Sequence, residues 1–295
     1  ASALPALQAL DAIGAFAQGP FSTHLTAGPD NDRPGDGQGV DLARNAAMRQ
    51  FVQRQVAHGD EVGSHGGWIH NAFGRGAHLM DRGQAAELVT RNIDFVRAAS
   101  GTPVREYSAP LGNHPAWLTP WLRERGVLAY YFTGDIGMPP TRSYQDGQRG
   151  PADIWAFPVL NFGRVASFEE ARGQDVPEDQ LGAWLTDVSD YCADQRSLRL
   201  VYIHPPGVAL YPQAFSSWLA HTRALVDAGR LRWTTMARQA AFANRRLAVQ
   251  WQLQAAEGAP AGTRQLAAAH PGSLAQMAWL LPAAGQPRPL LLQGR

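Results

Sequence analysis

Residues 61–70 read Glu-Val-Gly-Ser-His-Gly-Gly-Trp-Ile-His and set two histidines, His65 and His70, five positions apart. On a helix that spacing would turn the rings about 140° away from each other, at about 100° per residue. The pair is therefore not a helical metal motif of the His-Glu-x-x-His kind. Gly66 and Gly67 between them free the backbone to fold back and aim both imidazoles at one point. Two imidazoles on a loop after a short strand suit zinc or a similar divalent ion. The alternative is a surface loop that carries two histidines without a ligand.

Two other stretches have the same build. Residues 104–115 read Val-Arg-Glu-Tyr-Ser-Ala-Pro-Leu-Gly-Asn-His-Pro, and residues 198–207 read Leu-Arg-Leu-Val-Tyr-Ile-His-Pro-Pro-Gly. Each is a short apolar strand that runs into Pro and Gly with polar groups at its end. Taken in order with Ser64-His65 and His70, they resemble the polysaccharide deacetylase (NodB-homology) family of carbohydrate esterases. The segment from His24 to Asn31 resembles a second strand of that family's deformylase-like branch. The likeness runs over residues 4–245.

The resemblance implies a set of roles. His65 and His70 would bind the metal, zinc being the expected ion. The turn at Pro110 and Gly112 would line the substrate groove, with Arg105 the nearest arginine to it. His204, at the end of a late strand, would be the catalytic acid. The sequence departs from the family at three points. The histidine spacing is one residue longer, Ser108 stands where the groove arginine is expected, and no Asp-Asp strand precedes residue 4. In the family that strand supplies the base and a third metal ligand, so its counterpart is expected upstream of this chain. Asp30 is a substitute third ligand from a different strand end.

The elements that would position these residues alternate along the chain. Apolar residues recur at helical spacing from Leu4 to Ile13, Met48 to Val56, Val89 to Val96, Trp117 to Leu122 and Leu181 to Val188, with another helix at 214–228. Between them, strands are expected at 21–25, 61–63, 104–109, 128–133, 155–160, 198–204 and 231–235. Such alternation implies a parallel sheet with helices outside. The expected fold is an α/β, irregular seven-stranded (β/α) barrel of the polysaccharide deacetylase type, lacking its first strand, over residues 1–247. In a barrel the site gathers at the C-terminal strand ends, where His65, Pro110, Asp135 and His204 all fall. Residues 248–295 read as a small β extension, or else a tail without fixed structure. The Gly-, Pro- and Tyr-rich stretch 134–149 is expected to be a long loop.

Composition narrows the function classes. The chain has 295 residues, is 45% apolar and carries a formal charge of +1. That charge makes no whole-chain case for nucleic acid or a membrane surface. All 26 basic residues are Arg, so lysine Schiff-base chemistry is excluded. The single Cys192 allows no internal disulfide or Cys-rich metal site, and no apolar run is long enough to span a bilayer. The missing start Met suggests a trimmed chain. Nothing in it fixes a location, and a bacterial cell-envelope or other extracytoplasmic setting is the favoured expectation.

Removing an acetyl or formyl group from an amino sugar is amide hydrolysis. It needs activated water, a held oxyanion and a proton for the leaving nitrogen. Asp135 is the strand-end carboxylate placed to take the water's proton, a turn role being the alternative. Trp68, Tyr107 and Tyr144 could stack on sugar rings or simply pack. The partner is a carbohydrate or amino-sugar substrate. Two other functions fit the same residues: a catalytically inactive carbohydrate-binding or scaffold protein, and an amidohydrolase of a small non-sugar amide.

Overall fold

The computed structural model describes residues 3–133, 138–145, 147–258, 260, 263–279 and 290–294. They divide into two compact units, Ala1–Arg238 and Gln239–Arg295. In chain order the first unit runs α1 (Ala3–Ala12), β1 (Ser22–Leu25), α2 (Ala46–His58), β2 (Glu61–His65), α3 (His70–Gly76), α4 (Arg82–Ser100), β3 (Glu106–Ser108), α5 (Leu118–Arg123) and β4 (Ala129–Thr133). Three short strands follow, β5 (Thr141–Arg142), β6 (Tyr144–Gln145) and β7 (Gln148–Arg149). Then come β8 (Trp155–Val159), α6 (Phe168–Gly173), α7 (Glu178–Gln195) and α8 (Pro212–Asp227). Helix α9 (Met236–Leu247) leads into β9 (Gln250–Ala255), β10 (Arg264–Ala269) and β11 (Leu290–Gly294).

Strands pair in the order β1-β2-β3-β4-β8-β5. The first five are mutually parallel and β5 joins β8 antiparallel. The alternation seen in the sequence thus gives the expected α/β sheet with helices between strands. Two expected strands differ. Residues 198–204 contribute one bridge, Leu200 to Val159, and residues 231–235 form no strand.

The sheet also corrects the reading of its first strand. The position next to β2 is filled from within the chain, by β1. Residues 21–25 are therefore the edge strand that precedes the histidine-bearing strand, rather than a second strand. What hid this is chemical: β1 runs into Thr26 and Ala27, which carry no carboxylate.

The core forms where apolar stripes meet the sheet. Ala85, Val89, Ile93 and Val96 of α4 are buried, as are Leu181 and Leu185 of α7 and Phe215, Trp218 and Leu219 of α8. Asp81 caps α4 by accepting from the amides of Gly83 and Gln84, and Gly101 ends it in the left-handed conformation. Asn92 is the polar exception on that stripe and is fully buried. Its Oδ1 accepts from Ala27 N at 2.6 Å. Its Nδ2 donates to Leu25 O at 3.0 Å and Ser64 Oγ at 2.8 Å. One side chain therefore fastens the ends of β1 and β2 to α4.

In the second unit β9 and β10 pair antiparallel, and β10 and β11 pair parallel. The apolar runs at 249–253 and 289–292 fall on β9 and β11, the run at 276–281 forms no strand among its described residues, and β10 has no such run. No helix among the described residues is long and apolar enough to cross a membrane.

Candidate functional site

Parallel register puts His65, the last residue of β2, beside Ser108, the last of β3. His65 Nδ1 lies 2.5 Å from Ser108 Oγ. The chain then reverses at Gly66, where φ is +65° and the amide donates to Ser108 O at 2.8 Å. A Cβ at this position would lie 2.4 Å from the Pro110 ring. Glycine is required on both counts. The reversal delivers His70 as the first residue of α3, not as part of a loop.

The two rings stand 4.7 Å apart between centroids. His70 Nδ1 donates to Asn71 Oδ1 at 2.6 Å, which leaves its Nε2 as the free lone pair. Burial holds the His65 pKa well below its ordinary value, and the neighbouring His70 adds to the effect. Burial also lowers His70. Both imidazoles are therefore neutral at neutral pH, the form that can accept a metal or a proton.

His204 comes to the same place from residues 202–204. Its Nδ1 lies 3.1 Å from Glu169 Oε2, and its Nε2 meets the Tyr202 hydroxyl. Glu169 sits in the first turn of α6, which Ser167 caps by accepting from Glu170 N. Gly207 allows the approach, since a Cβ there would lie 2.7 Å from Glu169 Oε1. Burial works to raise the Glu169 pKa, but the hydrogen bond from His204, the attraction of its ring and hydrogen bonds from the Glu169 backbone and Ser167 together outweigh it and leave the carboxyl below its ordinary value. The Tyr131 ring packs beside Tyr202 at 5.3 Å between centroids and edge-on to His24 at 5.2 Å.

A cavity of about 530 Å³ opens here, lined by His65, His70, His204, Asp30, Tyr131 and Tyr202 at one part. Side chains of β1, α1 and α8 and of residues 199–203 and 233–236 line the rest, many of them apolar, with Thr23, Arg199 and Thr234 among the polar ones. His24 also lines it. Its Nε2 is 3.5 Å from Glu106 Oε2, and both side chains are buried. That distance would suit an ion pair. Yet burial drives each group toward its neutral form, lowering His24 to about 3 and raising Glu106 to about 8. We read the couple as neutral, because no neighbouring charge offsets the loss of water. Gly63 makes room for the His24 ring, which a Cβ would meet at 2.5 Å.

The remaining residues singled out in the sequence lie elsewhere. Trp68 is buried against Phe95 with the Arg91 guanidinium over its ring at 4.0 Å. Tyr107 and Pro110 are buried and do not line the cavity. Gly112 turns the chain at φ +69°. Arg105 is exposed just before β3, at the end of that strand away from Ser108. Asp135 lies outside the described residues. Sequence reasoning missed Glu169, Asn92 and the His24–Glu106 couple. Glu169 carried one signal, the Ser-x-x-Glu cap around it.

A protein from Mycobacterium smegmatis assigned as a polysaccharide deacetylase superposes with a TM-score of 0.53 at 14% identity, over 82% of this chain and 77% of that one. A second such protein, from Pseudomonas aeruginosa PAO1, gives 0.51 at 16% identity, over 67% and 63% of the two chains. The fold is that of the polysaccharide deacetylases. An allantoinase shares it, at TM-score 0.52 and 16% identity over 80% of this chain and 71% of that chain. The deacetylase fold therefore does not by itself fix the reaction. No family model matches the sequence, and no curated protein matches it.

Within the deacetylase fold the donor set for a metal can be tested against the residues present. His65 and His70 fit: the Nδ1 of each is engaged by a polar neighbour, the usual way ligating imidazoles are oriented. A complete set does not form. Among the described residues no group of three or more His, Cys, Asp or Glu could hold an ion. Catalytic zinc ordinarily has three protein ligands. At the end of β1, Thr26 instead donates to His65 O at 2.5 Å, and Ala27 is wholly buried.

Proposed function

We propose that the protein is a hydrolase that removes an acyl group from the nitrogen of an amino sugar or polysaccharide. The observation that carries this reading is the convergence of His65, His70 and His204 on one cavity. His65 and His70 would hold a divalent ion, zinc being expected. Such an ion, when bound, would polarise the amide carbonyl and acidify water. His204, oriented by Glu169, gives its proton to the departing nitrogen. Asp30 is the carboxylate that lines the same cavity. Asp135 keeps its place as a second candidate base on sequence grounds. Closing the seventh strand to complete a barrel belongs to the same reading.

A second reading, a non-catalytic carbohydrate-binding protein, is favoured by Thr26 and Ala27 at the end of β1, where the family resemblance calls for two carboxylates. One experiment separates the two. The protein is loaded with zinc, its metal content is measured, and acetate or formate release from N-acylated sugars is followed. The hydrolase reading expects release, and loss of metal in His65→Ala and His70→Ala. Unchanged metal in both variants would sink the metal assignment. Oligosaccharide binding without acid release would favour the second reading.

A further inference from the structure

We infer that the cavity binds a medium-length aliphatic acyl chain, with the carbonyl end at the imidazoles and the tail along β1. This deepens the hydrolase reading and rests on it for the reaction, though not for the binding. Three observations carry it. First, the volume, about 530 Å³, is in the range of sites that enclose drug-sized ligands and far exceeds what an acetyl group fills.

Second, the part of the cavity beyond the histidines is walled by Phe21, Leu25, Phe215, Trp218, Trp233 and Met236. Of the polar groups along it, Ser22 is engaged within the protein, while His24 Nε2 and the Trp233 indole nitrogen are buried without a hydrogen-bond partner among the described residues. Ser22 Oγ donates to Glu106 Oε1 and accepts from Met236 N. His24 faces Glu106. The named wall residues are mostly hydrocarbon, and such a surface rewards a hydrocarbon.

Third, the lobe runs alongside β1. Phe21 and Leu25 are four residues apart, about 13 Å at the rise of a strand. An extended acyl chain of medium length spans that distance. The reaction that follows is balanced: water adds to the carbonyl carbon and the carbon–nitrogen bond breaks. The chain leaves as a carboxylate and the sugar as an ammonium, the nitrogen having taken two protons from that water.

The product itself tests the inference. Butanoate, hexanoate, octanoate and decanoate are titrated against the full chain by calorimetry and by tryptophan fluorescence, since Trp218 and Trp233 wall the lobe. Affinity should rise roughly tenfold for every two methylenes added. Ala15 also lines the cavity and is buried. Ala15→Phe, with native near-UV circular dichroism, should abolish the gain beyond butanoate. Affinity independent of chain length would overturn the inference, as would an unaltered series in the folded variant. If Ala15→Phe does not fold, the wild-type series alone decides. Octyl glucoside binding as tightly as octanoate would also overturn it, by giving the chain to the sugar's aglycone. Hydrolysis of N-octanoyl- over N-acetylglucosamine is scored separately. A steep binding series with no hydrolysis of either amide removes the hydrolase reading and leaves the chain site standing.

Discussion

His204 is held from two sides, by Glu169 at Nδ1 and Tyr202 at Nε2. That arrangement fixes the ring without tying it to His65 or His70. His204→Ala should therefore lower turnover about 10²- to 10⁴-fold, the range for a lost general acid, while zinc content stays constant. Glu169→Gln keeps the shape and loses the charge. It should reduce turnover less, about 10- to 100-fold, as for other groups that orient an imidazole. Steady-state rates with metal analysis on the same samples check both. Zinc loss in His204→Ala would make that histidine a ligand instead. The three histidines were legible in the sequence because glycine and proline mark the chain turns beside them, although only His65 ends a strand. Glu169 was not, because its link to His204 spans 35 residues and no local pattern encodes it. The aromatic candidates Trp68 and Tyr107 went to packing, since their rings fall on the buried side of their elements.

At the scale of elements, two connections set the site. Asn92 joins β1, β2 and α4 through three buried hydrogen bonds. Asn92→Leu would leave an amide and a carbonyl unpaired, at about 3 kcal/mol of stability. A lower urea midpoint with an unchanged slope would show it. Gly66→Ala should act differently. Its positive φ and the Pro110 ring oppose a side chain, at about 1 to 2 kcal/mol for the backbone alone. The turn that delivers His70 should shift, and zinc content should fall although no ligand is removed. Full zinc occupancy in a folded Gly66→Ala protein would refute the need for that turn. Helices with regular apolar stripes, such as α4, α7 and α8, were readable in the sequence. Residues 231–235 were not, because an apolar alternation specifies a strand only where a partner edge accepts its hydrogen bonds. Asn92 was hidden in a stripe where a polar residue reads as a flaw.

For the molecule as a whole, the buried His24–Glu106 couple shapes stability against pH. His24 falls from an ordinary 6.5 to about 3 on folding, so the unfolded chain binds the extra proton between those values. Stability from this group is lost as pH drops below about 6.5. Glu106 rises from 4.5 to about 8, so the folded chain holds the extra proton there. Stability from this group is lost as pH climbs from 4.5 toward 8. Within this couple the slopes oppose each other between 4.5 and 6.5, while the lowered His65, His70 and His114 add to the loss as pH falls below about 6.5, and Glu106 drives the decline toward 8. Thermal or urea unfolding across pH measures this profile. Glu106→Gln should flatten the alkaline side and leave the acid side in place. A wild-type profile that keeps rising from pH 6.5 to 8 would count against a neutral couple.

The contacts of β1 also have a meaning in time. Ser22 accepts from Met236 N, 214 residues away in sequence, and Thr222 donates to Gln18 across 204. A ribosome adding about 5 to 20 residues per second takes roughly 10 to 40 s to make the second partner after the first. β1 thus leaves the exit tunnel well before its contacts can be completed. Until residue 236 emerges, Phe21 and Leu25 have no finished wall to face. During that interval the apolar residues at β1 stay uncovered on that side, and a change near residue 236 would be felt at β1.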